Sequence, residues 1–575
     1  MAKPRNPPAG LSGHLTSYGD PGFSRFLRRA FAKGMGLGDT ALDRPVIGIT
    51  QTWSELNPCH SHFRQLAEAV KRGVLLAGGL PLEFPTISLG ETFLSPTAML
   101  YRNLLAMDTE EMLCAQPLDA VVLLGSCDKT IPAQLMAAAS ADLPAILLPG
   151  GPMLDGRYQG ETLGACTDCR RYWTEYRAGR LTEQTLAGLE DALAPSAGHC
   201  MVMGTASSMA CAAEALGMTL PGAAAIPAPL AARFRIAEAT GARAVALAVA
   251  DLRPSHILTP EAFDNAIRLL CALGGSTNAI IHLTAIAGRM NIPLTPAHFD
   301  NLSRATPLLG NLKPSGSFSM SDLYEAGGVP AVLKELEPLL HGACRTVGGH
   351  TLQEELAGVA LAERRRDVIA ALDRPLAPEG GLAAVYGNLA PTGAVIKHAA
   401  ATPRLLQHRG RAVVFTSPAD LAARLDAPDT IIHADDVLVL QNAGPIGGPG
   451  MPEVGNLPIP TRLLRAGVRD MLRISDARMS GTAFGSIVLH VSPEAAVGGP
   501  LGLVRDGDQI ELDLRTRRLQ LLVENGELDR RRLAATVPPP QRGRGYTALY
   551  VRHVQQADQG CDFDFLLPED SAPRH

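Results

Sequence analysis

The stretch Asp119-Ala-Val-Val-Leu-Leu-Gly-Ser-Cys-Asp-Lys-Thr130 decides the fold. Its apolar half, Val121–Leu124, reads as a strand buried on both faces, and a helical pattern follows from about Ile131. A thiol, a carboxylate and an amine stand consecutively at the strand end. These residues alone leave three readings open: a reactive cysteine, a metal site, or an ordinary strand-to-helix turn.

The same rhythm continues on both sides. Pro45–Thr50 reads as a strand, followed by a helix over 62–77 with Phe63, Leu66, Ala67, Val70 and Val74 on one face. Leu82–Ile87 is a second strand and 97–114 a second helix, and Ala145–Leu148 is a fourth strand. Strands alternating with helices predict a doubly wound parallel sheet. Helical patterns, including Gly204–Met218 and Ser276–Arg289, run on to about residue 365. After about 375 short β-rich runs take over: Ala412–Phe415, Thr430–His433, Val437–Leu440, Ser486–Val491, Ile510–Leu514 and Arg518–Val523. They predict a β-barrel-like second domain. The domain reading is an N-terminal arm (1–44), an α/β domain (45–375) and the β domain (376–575).

At 575 residues the chain exceeds one ordinary core, which agrees with two domains. A net charge of -5 provides no basic field, so neither nucleic acid nor an anionic membrane is expected as a partner. No apolar run approaches a membrane span, and the N-terminal residues lack a secretory h-region, so a cytoplasmic location is expected. Ten cysteines in a reducing compartment are not read as a disulfide framework.

Three of those cysteines hold equivalent places. Cys59 follows the first strand, Cys127 follows the third, and Cys200 precedes the helix near Gly204. Ligands of parallel sheets gather at the carboxyl ends of strands, so the three thiols can meet in one crevice. Thiolates suit iron–sulfur clusters and zinc, and three of them leave one metal position open to act as a Lewis acid. Each is otherwise a small buried residue. Cys166-x-x-Cys169 looks like half a zinc site, but no second pair complements it. No phosphate loop or nucleophile elbow is present.

Several long motifs, in order, resemble the dihydroxy-acid and sugar-acid dehydratase family. They are Gly125–Thr130, Gly274-Gly-Ser-Thr-Asn278, Tyr386–Gly393, Gly447–Glu453, Asp476-Ala-Arg-Met-Ser-Gly-Thr482 and His490–Ala495. The resemblance spans about 45 to 565. It implies an iron–sulfur cluster on Cys59, Cys127 and Cys200, read as a two-iron rather than a four-iron cluster. It also implies magnesium on Glu91, Asp128, Glu453 and a carbamylated Lys129. Ser480 is the implied base, Lys129 a second catalytic group, and Thr482 and Ser276 substrate contacts. A homodimer or homotetramer is implied as well. Thr97–Glu111 and Ser480–Gly485 resemble the pentonate (arabinonate or xylonate type) dehydratases. Cys166 and Cys169 stand where other residue types are familiar, and so does Met201 beside Cys200.

The expected function is a hydro-lyase taking an aldonic acid to its 2-keto-3-deoxy acid. The rivals are dihydroxy-acid dehydratase of branched-chain amino-acid synthesis, phosphogluconate dehydratase, and an iron–sulfur electron carrier or sensor without lyase activity. Each site residue has a plainer reading. Asp128 could cap the following helix, Lys129 could be a surface lysine, and Glu91 and Glu453 could be exposed loop carboxylates. Ser276–Asn278 could simply cap the helix after it. An unmodified Lys129 could serve as a general base if its pKa were lowered.

Overall fold

In a computed structural model of the chain, the strand carrying the opening stretch lies inside a four-stranded, all-parallel sheet of order β2-β1-β3-β4. The strands are β1 (Val46–Gln51), β2 (Leu80–Pro85), β3 (Ala120–Gly125) and β4 (Ala145–Pro149). The structure describes residues 8–13, 15, 18–361, 365–535 and 543–568. Every residue of β3 is buried, as its unbroken apolar run requires. The prolines of β2 (Pro81, Pro85) sit on an edge strand, where a missing donor breaks no ladder. Winding runs outward from β1 to β2 and from β3 to β4, so the order reverses between β1 and β3. Right-handed crossovers then put the connecting helices on opposite faces, the doubly wound arrangement. Phe63–Leu76 packs with Ala231–Ala250, and Thr130–Ala141 with Arg102–Ala115.

A two-stranded ribbon follows, β5 (Gly156–Tyr158) and β6 (Glu161–Leu163). The C-terminal half closes an eight-stranded barrel, β10-β11-β12-β8-β7-β14-β13-β9. Its members are β7 (Ala383–Gly387), β8 (Ala390–Ile396), β9 (Gln407–Phe415), β10 (Val437–Leu440), β11 (Arg473–Ser475), β12 (Ile487–Ser492), β13 (Gln509–Asp513) and β14 (Arg518–Leu521). Alternate residues fill its interior, among them Ala394 and Ile396, Ala412 and Val414, Val437 and Val439, Ile510 and Leu512. Their neighbours Val413, Phe415, Leu438 and Leu440 pack outside against the loops.

Two expectations shift. Thr430–His433 is not a strand: Ile431 is exposed, and the His433 N–H is taken by the Asp436 carboxylate at 2.7 Å. The segment 97–114 opens as a 3-10 turn, Ala98–Tyr101, capped by Thr97, before the α-helix Arg102–Ala115. Of the N-terminal arm, residues 1–7, 14, 16 and 17 lie outside the described residues. Ala9 and Gly10 are held on the body by Asp119, whose carboxylate also takes the N–H of Val46 at the start of β1.

Candidate functional site

Cys59 and Cys127 leave the sheet after β1 and β3, on either side of the point where strand order reverses. This is where an open parallel sheet leaves a crevice. The Cys127 thiol stands close enough to Cys59 to raise its pKa, and Cys200 lies within the electrostatic reach of both. The backbone of each thiol segment is fixed by a polar neighbour. Asn57 Oδ1 accepts the Cys59 N–H at 3.2 Å, and His60 Nε2 accepts the Cys127 N–H at 3.1 Å while Nδ1 faces Thr52 O at 2.8 Å. His199 Nδ1 lies 3.0 Å from the Cys200 carbonyl. Burial holds His60 neutral, with a pKa of about 3, as an acceptor toward Cys127 requires. Thiol contact with Cys127, then burial, push the Cys59 thiol well up. The Cys166 contact works to lower Cys200, but burial and the neighbouring Cys59, Asp128 and Cys127 leave it raised. Three thiols brought together from separate segments are a donor set that a cluster's irons accept.

One residue further along, the chemistry changes from sulfur to oxygen. The Lys129 Nζ is fully buried and lies 3.1 Å from Glu91, 3.4 Å from Asp128 and 3.8 Å from Glu453. The Glu91 carboxylate also accepts from Thr97 Oγ1 (2.7 Å) and Ala98 N–H (3.2 Å). Arg478, also fully buried, donates to Glu453 Oε1 and Thr97 Oγ1, each at 3.1 Å. Burial works to raise Glu91, but Lys129 and then Arg478 outweigh it and bring the pKa down to about 2. For Glu453, burial dominates and the pKa rises, with Glu91 and Asp128 adding to it against Lys129 and Arg478.

Among the described residues no three His, Cys, Asp or Glu side chains close tightly enough to hold a metal ion as they stand. The carboxylates are gathered around the lysine's ammonium instead. The donor set nevertheless fits a hard divalent ion. Carbamylation would turn the central positive charge negative, leaving three carboxylates and a carbamate facing Arg478 alone, an excess that a magnesium ion offsets. An unmodified Lys129 does not fit the general-base alternative. Burial works to lower its pKa, but Glu91, Asp128 and Glu453 outweigh it and the pKa is raised, so the amine stays protonated.

The plainer readings fare unevenly. Asp128 does not cap the helix Thr130–Ala141; its Oδ2 faces Lys129 instead. Lys129 is not on the surface, and Glu91 and Glu453 are largely covered. The N-cap residue of the helix Asn278–Arg289 is Thr277, which makes no side-chain cap; Ser276, one residue earlier, accepts the Asn278 N–H at 3.1 Å and shares a 2.9 Å contact with Thr205 Oγ1.

Ser480 and Thr482 share a 2.8 Å hydroxyl–hydroxyl hydrogen bond. Between them, Gly481 lies against Ser276. A Cβ there would fall 2.5 Å from Ser276 Oγ, and one on Gly204 would fall 2.6 Å from Thr482 Cγ2. The loop from the barrel half and the Ser276 turn from the α/β half therefore touch through glycine. Glu453 and Thr482 open onto one cavity of about 840 Å³, lined also by Thr167, Arg170, Asn456 and Phe484.

Sequence reasoning singled out neither Arg478 nor His60, although both stand inside or beside quoted motifs. It also missed Lys397, buried behind the Ser480 loop and donating to Gly481 O at 3.3 Å. No local pattern around Lys397 marks it.

A sheet crevice lined by thiols, an oxygen-rich cluster one residue away and a barrel loop of hydroxyls define an enzyme of the dehydratase type. The chain belongs to the dihydroxy-acid/6-phosphogluconate dehydratase family: the N-terminal family model matches residues 44–355 and the C-terminal one residues 367–561. It is 50% identical to an L-arabonate dehydratase of Azospirillum brasilense (94% of each chain). It is 49% identical to a 6-deoxy-6-sulfo-D-gluconate dehydratase of Pseudomonas putida (95% of each chain). Identity to a dihydroxy-acid dehydratase of Moorella thermoacetica is 42%, over 94% of this chain and 98% of that one. Among the described residues, no helix is long and apolar enough to cross a membrane.

Proposed function

We propose that the chain is a hydro-lyase converting an aldonic acid to its 2-keto-3-deoxy acid. Cys59, Cys127 and Cys200 would hold a two-iron cluster, and Glu91, Asp128, Glu453 and carbamylated Lys129 would hold magnesium. The observation that carries this reading is the adjacency of the two donor sets. Asp128 lies in the electrostatic surroundings of Cys59 and Cys200 while its own carboxylate faces Lys129. When bound, the two metals supply Lewis acids for the carboxylate with its 2-hydroxyl and for the departing 3-hydroxyl.

The chain's own residues supply the rest. Ser480 Oγ takes the C2 proton; a serine does so only as an alkoxide stabilised by nearby positive charge. Thr482, paired with Ser480, orients the substrate hydroxyl, and Ser276 fixes the loop that carries both. Arg478 holds Glu453 in place from inside the protein. Arg170 lines the cavity, makes no ion pair among the described residues, and offers hydrogen bonds to the polar far end of a sugar acid. A branched-chain dihydroxy acid has no group for it. The relatives named for arabonate and sulfogluconate support the same substrate class. The reading includes a cytoplasmic homodimer or homotetramer acting on a small molecule.

The test is a substrate panel on anaerobically purified enzyme with added magnesium, comparing pentonates, hexonates and 2,3-dihydroxyisovalerate. Turnover of a sugar acid with the higher kcat/KM is expected. A strong preference for 2,3-dihydroxyisovalerate would overturn the assignment.

A further inference from the structure

The proposed dehydration makes no use of Cys166 or Cys169, yet Cys166 reaches the candidate cluster site. Its Sγ lies 3.0 Å from Cys200 Sγ. It occupies the N-cap position of the helix Thr167–Arg177, with φ at 69°, and Cys169 stands one turn along the same helix, on the side of the helix that Cys166 begins. Cys166 therefore touches one thiol of the candidate ligand set and stands three residues from a second thiol outside it.

The contact is held from both sides. Ala165 N–H points to Met201 Sδ at 2.8 Å, and Thr167 Oγ1 donates to Thr482 O at 3.0 Å, so both residues flanking Cys166 are tied to the site. Gly164 N–H is bound by Asp168 at 2.7 Å, which fixes the turn entering the helix. On the other side, the Cys200 carbonyl accepts from Ser207 Oγ at 3.3 Å and faces His199 Nδ1. Both residues are half-buried. A separation of 3.0 Å needs only a small side-chain adjustment to reach bonding distance.

We propose that Cys200, Cys166 and Cys169 form a thiol–disulfide relay that keeps Cys200 available for its cluster. The inference rests on Cys200 being a cluster ligand. When the cluster is lost, the Cys166 sulfur attacks a low-molecular-weight disulfide of the glutathione type. The S–S bond of that molecule breaks, one thiol leaves with the Cys166 proton, and a mixed disulfide remains on Cys166. The Cys200 sulfur then attacks the Cys166 sulfur, a Cys166–Cys200 bond forms, and the second small thiol leaves with the Cys200 proton. Two protein thiols have been oxidised and one small disulfide reduced to two thiols. In the last step Cys169 attacks Cys166, the Cys166–Cys200 bond breaks, and the proton from Cys169 passes to Cys200. Exchange of this kind requires the attacking sulfur to reach the disulfide directly, which the Cys200 contact and the one-turn spacing of Cys169 provide. The disulfide ends on the Cys166–Cys169 pair, and Cys200 is again a free thiol.

The test uses the full-length chain, stripped of iron by a chelator, incubated with oxidised glutathione, alkylated and mapped by non-reducing mass spectrometry. The wild type is expected to carry Cys166–Cys169 with Cys200 alkylated. Cys169→Ser is expected to accumulate Cys166–Cys200, and Cys166→Ser to carry neither bond and to show glutathione on Cys200. Iron and sulfide are then supplied without reductant. Cluster absorption is expected to return in the wild type at least fivefold further than in Cys169→Ser, and dithiothreitol should remove that difference. Absence of Cys166–Cys200 in Cys169→Ser, or equal glutathionylation of Cys200 in the wild type and Cys166→Ser, would overturn the relay. Protein that is colourless and iron-free after anaerobic purification would instead sink the cluster reading, a separate failure.

Discussion

The Nζ of Lys129 lies 3.1 Å from Oε2 of Glu91, a wholly buried ammonium against a carboxylate that is 23% exposed. Asp128 and Glu453 complete the ring around it, so one positive charge stands among three negative ones, with Arg478 behind Glu453. Removing one partner of a buried pair leaves the others uncompensated, a loss of about 3–5 kcal/mol. In protein prepared without divalent cations or added bicarbonate, Lys129→Met is expected to lower stability toward the lower end of that range. Chemical denaturation measures it, and a change below about 1 kcal/mol would show the carboxylates to be well solvated.

The two donor sets make separable predictions. Glu453→Gln keeps the shape but removes a charge from the oxygen cluster, so kcat should fall by about 10²-fold or more while the cluster absorption stays. Cys127→Ser should bleach that absorption. Visible spectra and initial rates on both variants are the readout. Full activity of Glu453→Gln would refute the oxygen site.

Gly481 is needed for close approach. The methyl of Gly481→Ala would fall 2.5 Å from Ser276 Oγ, 2.6 Å from its Cβ and 2.9 Å from the Thr205 backbone nitrogen. Overpacking of this kind costs about 1–3 kcal/mol and moves backbone. The loop carrying Ser480 and Thr482 must shift, so kcat is expected to fall at least tenfold with the cluster spectrum unchanged. Unaltered steady-state kinetics would show that the loop tolerates the displacement.

Burial alone lowers Lys397 to about 7 from its ordinary 10.5. Between those values the unfolded chain binds a proton that the folded one does not, so this residue makes stability rise with pH across that window. Below about 7 both states are protonated and the cost is fully present. Lys397→Met should flatten the rise between pH 7 and 10, as thermal denaturation across that range will show. An unchanged slope would place the titration elsewhere.

Arg170 lines the cavity without an ion-pair partner among the described residues. Hydrogen bonds from a charged group contribute about 1.5–3 kcal/mol, or roughly tenfold to a hundredfold in binding. Arg170→Met is expected to raise KM for a sugar acid by about tenfold while leaving any turnover of 2,3-dihydroxyisovalerate unaffected. Equal effects on both would assign Arg170 to folding rather than to recognition.

The legible parts of the chain were those in which function and local pattern coincide. The run Val121–Leu124 could only be a buried strand, and the turn after it could only lie at the sheet's carboxyl edge. The alternating residues of Ile510–Leu514 announced a strand with an inside and an outside, while the unbroken apolar run Ala412–Phe415 announced a strand without saying which face lay inside. Thr430–His433 misled because its composition suits a strand, while the decisive interaction, Asp436 taking the His433 N–H, belongs to side-chain geometry.

The sequence by itself therefore determined the strand–helix alternation of the first sheet, the thiols that follow β1 and β3, and the motif that places Cys127 beside Asp128. Local spacing governs each of these, because a strand's length and its turn depend on neighbouring residues. Only the tertiary structure decided which distant groups meet. Arg478 reaches Glu453 and Thr97, Lys397 supports Gly481, and Cys166 lies against Cys200. Such contacts depend on how the sheet and the barrel pack, and burial then sets the charge of each group. No periodicity along the chain encodes either one.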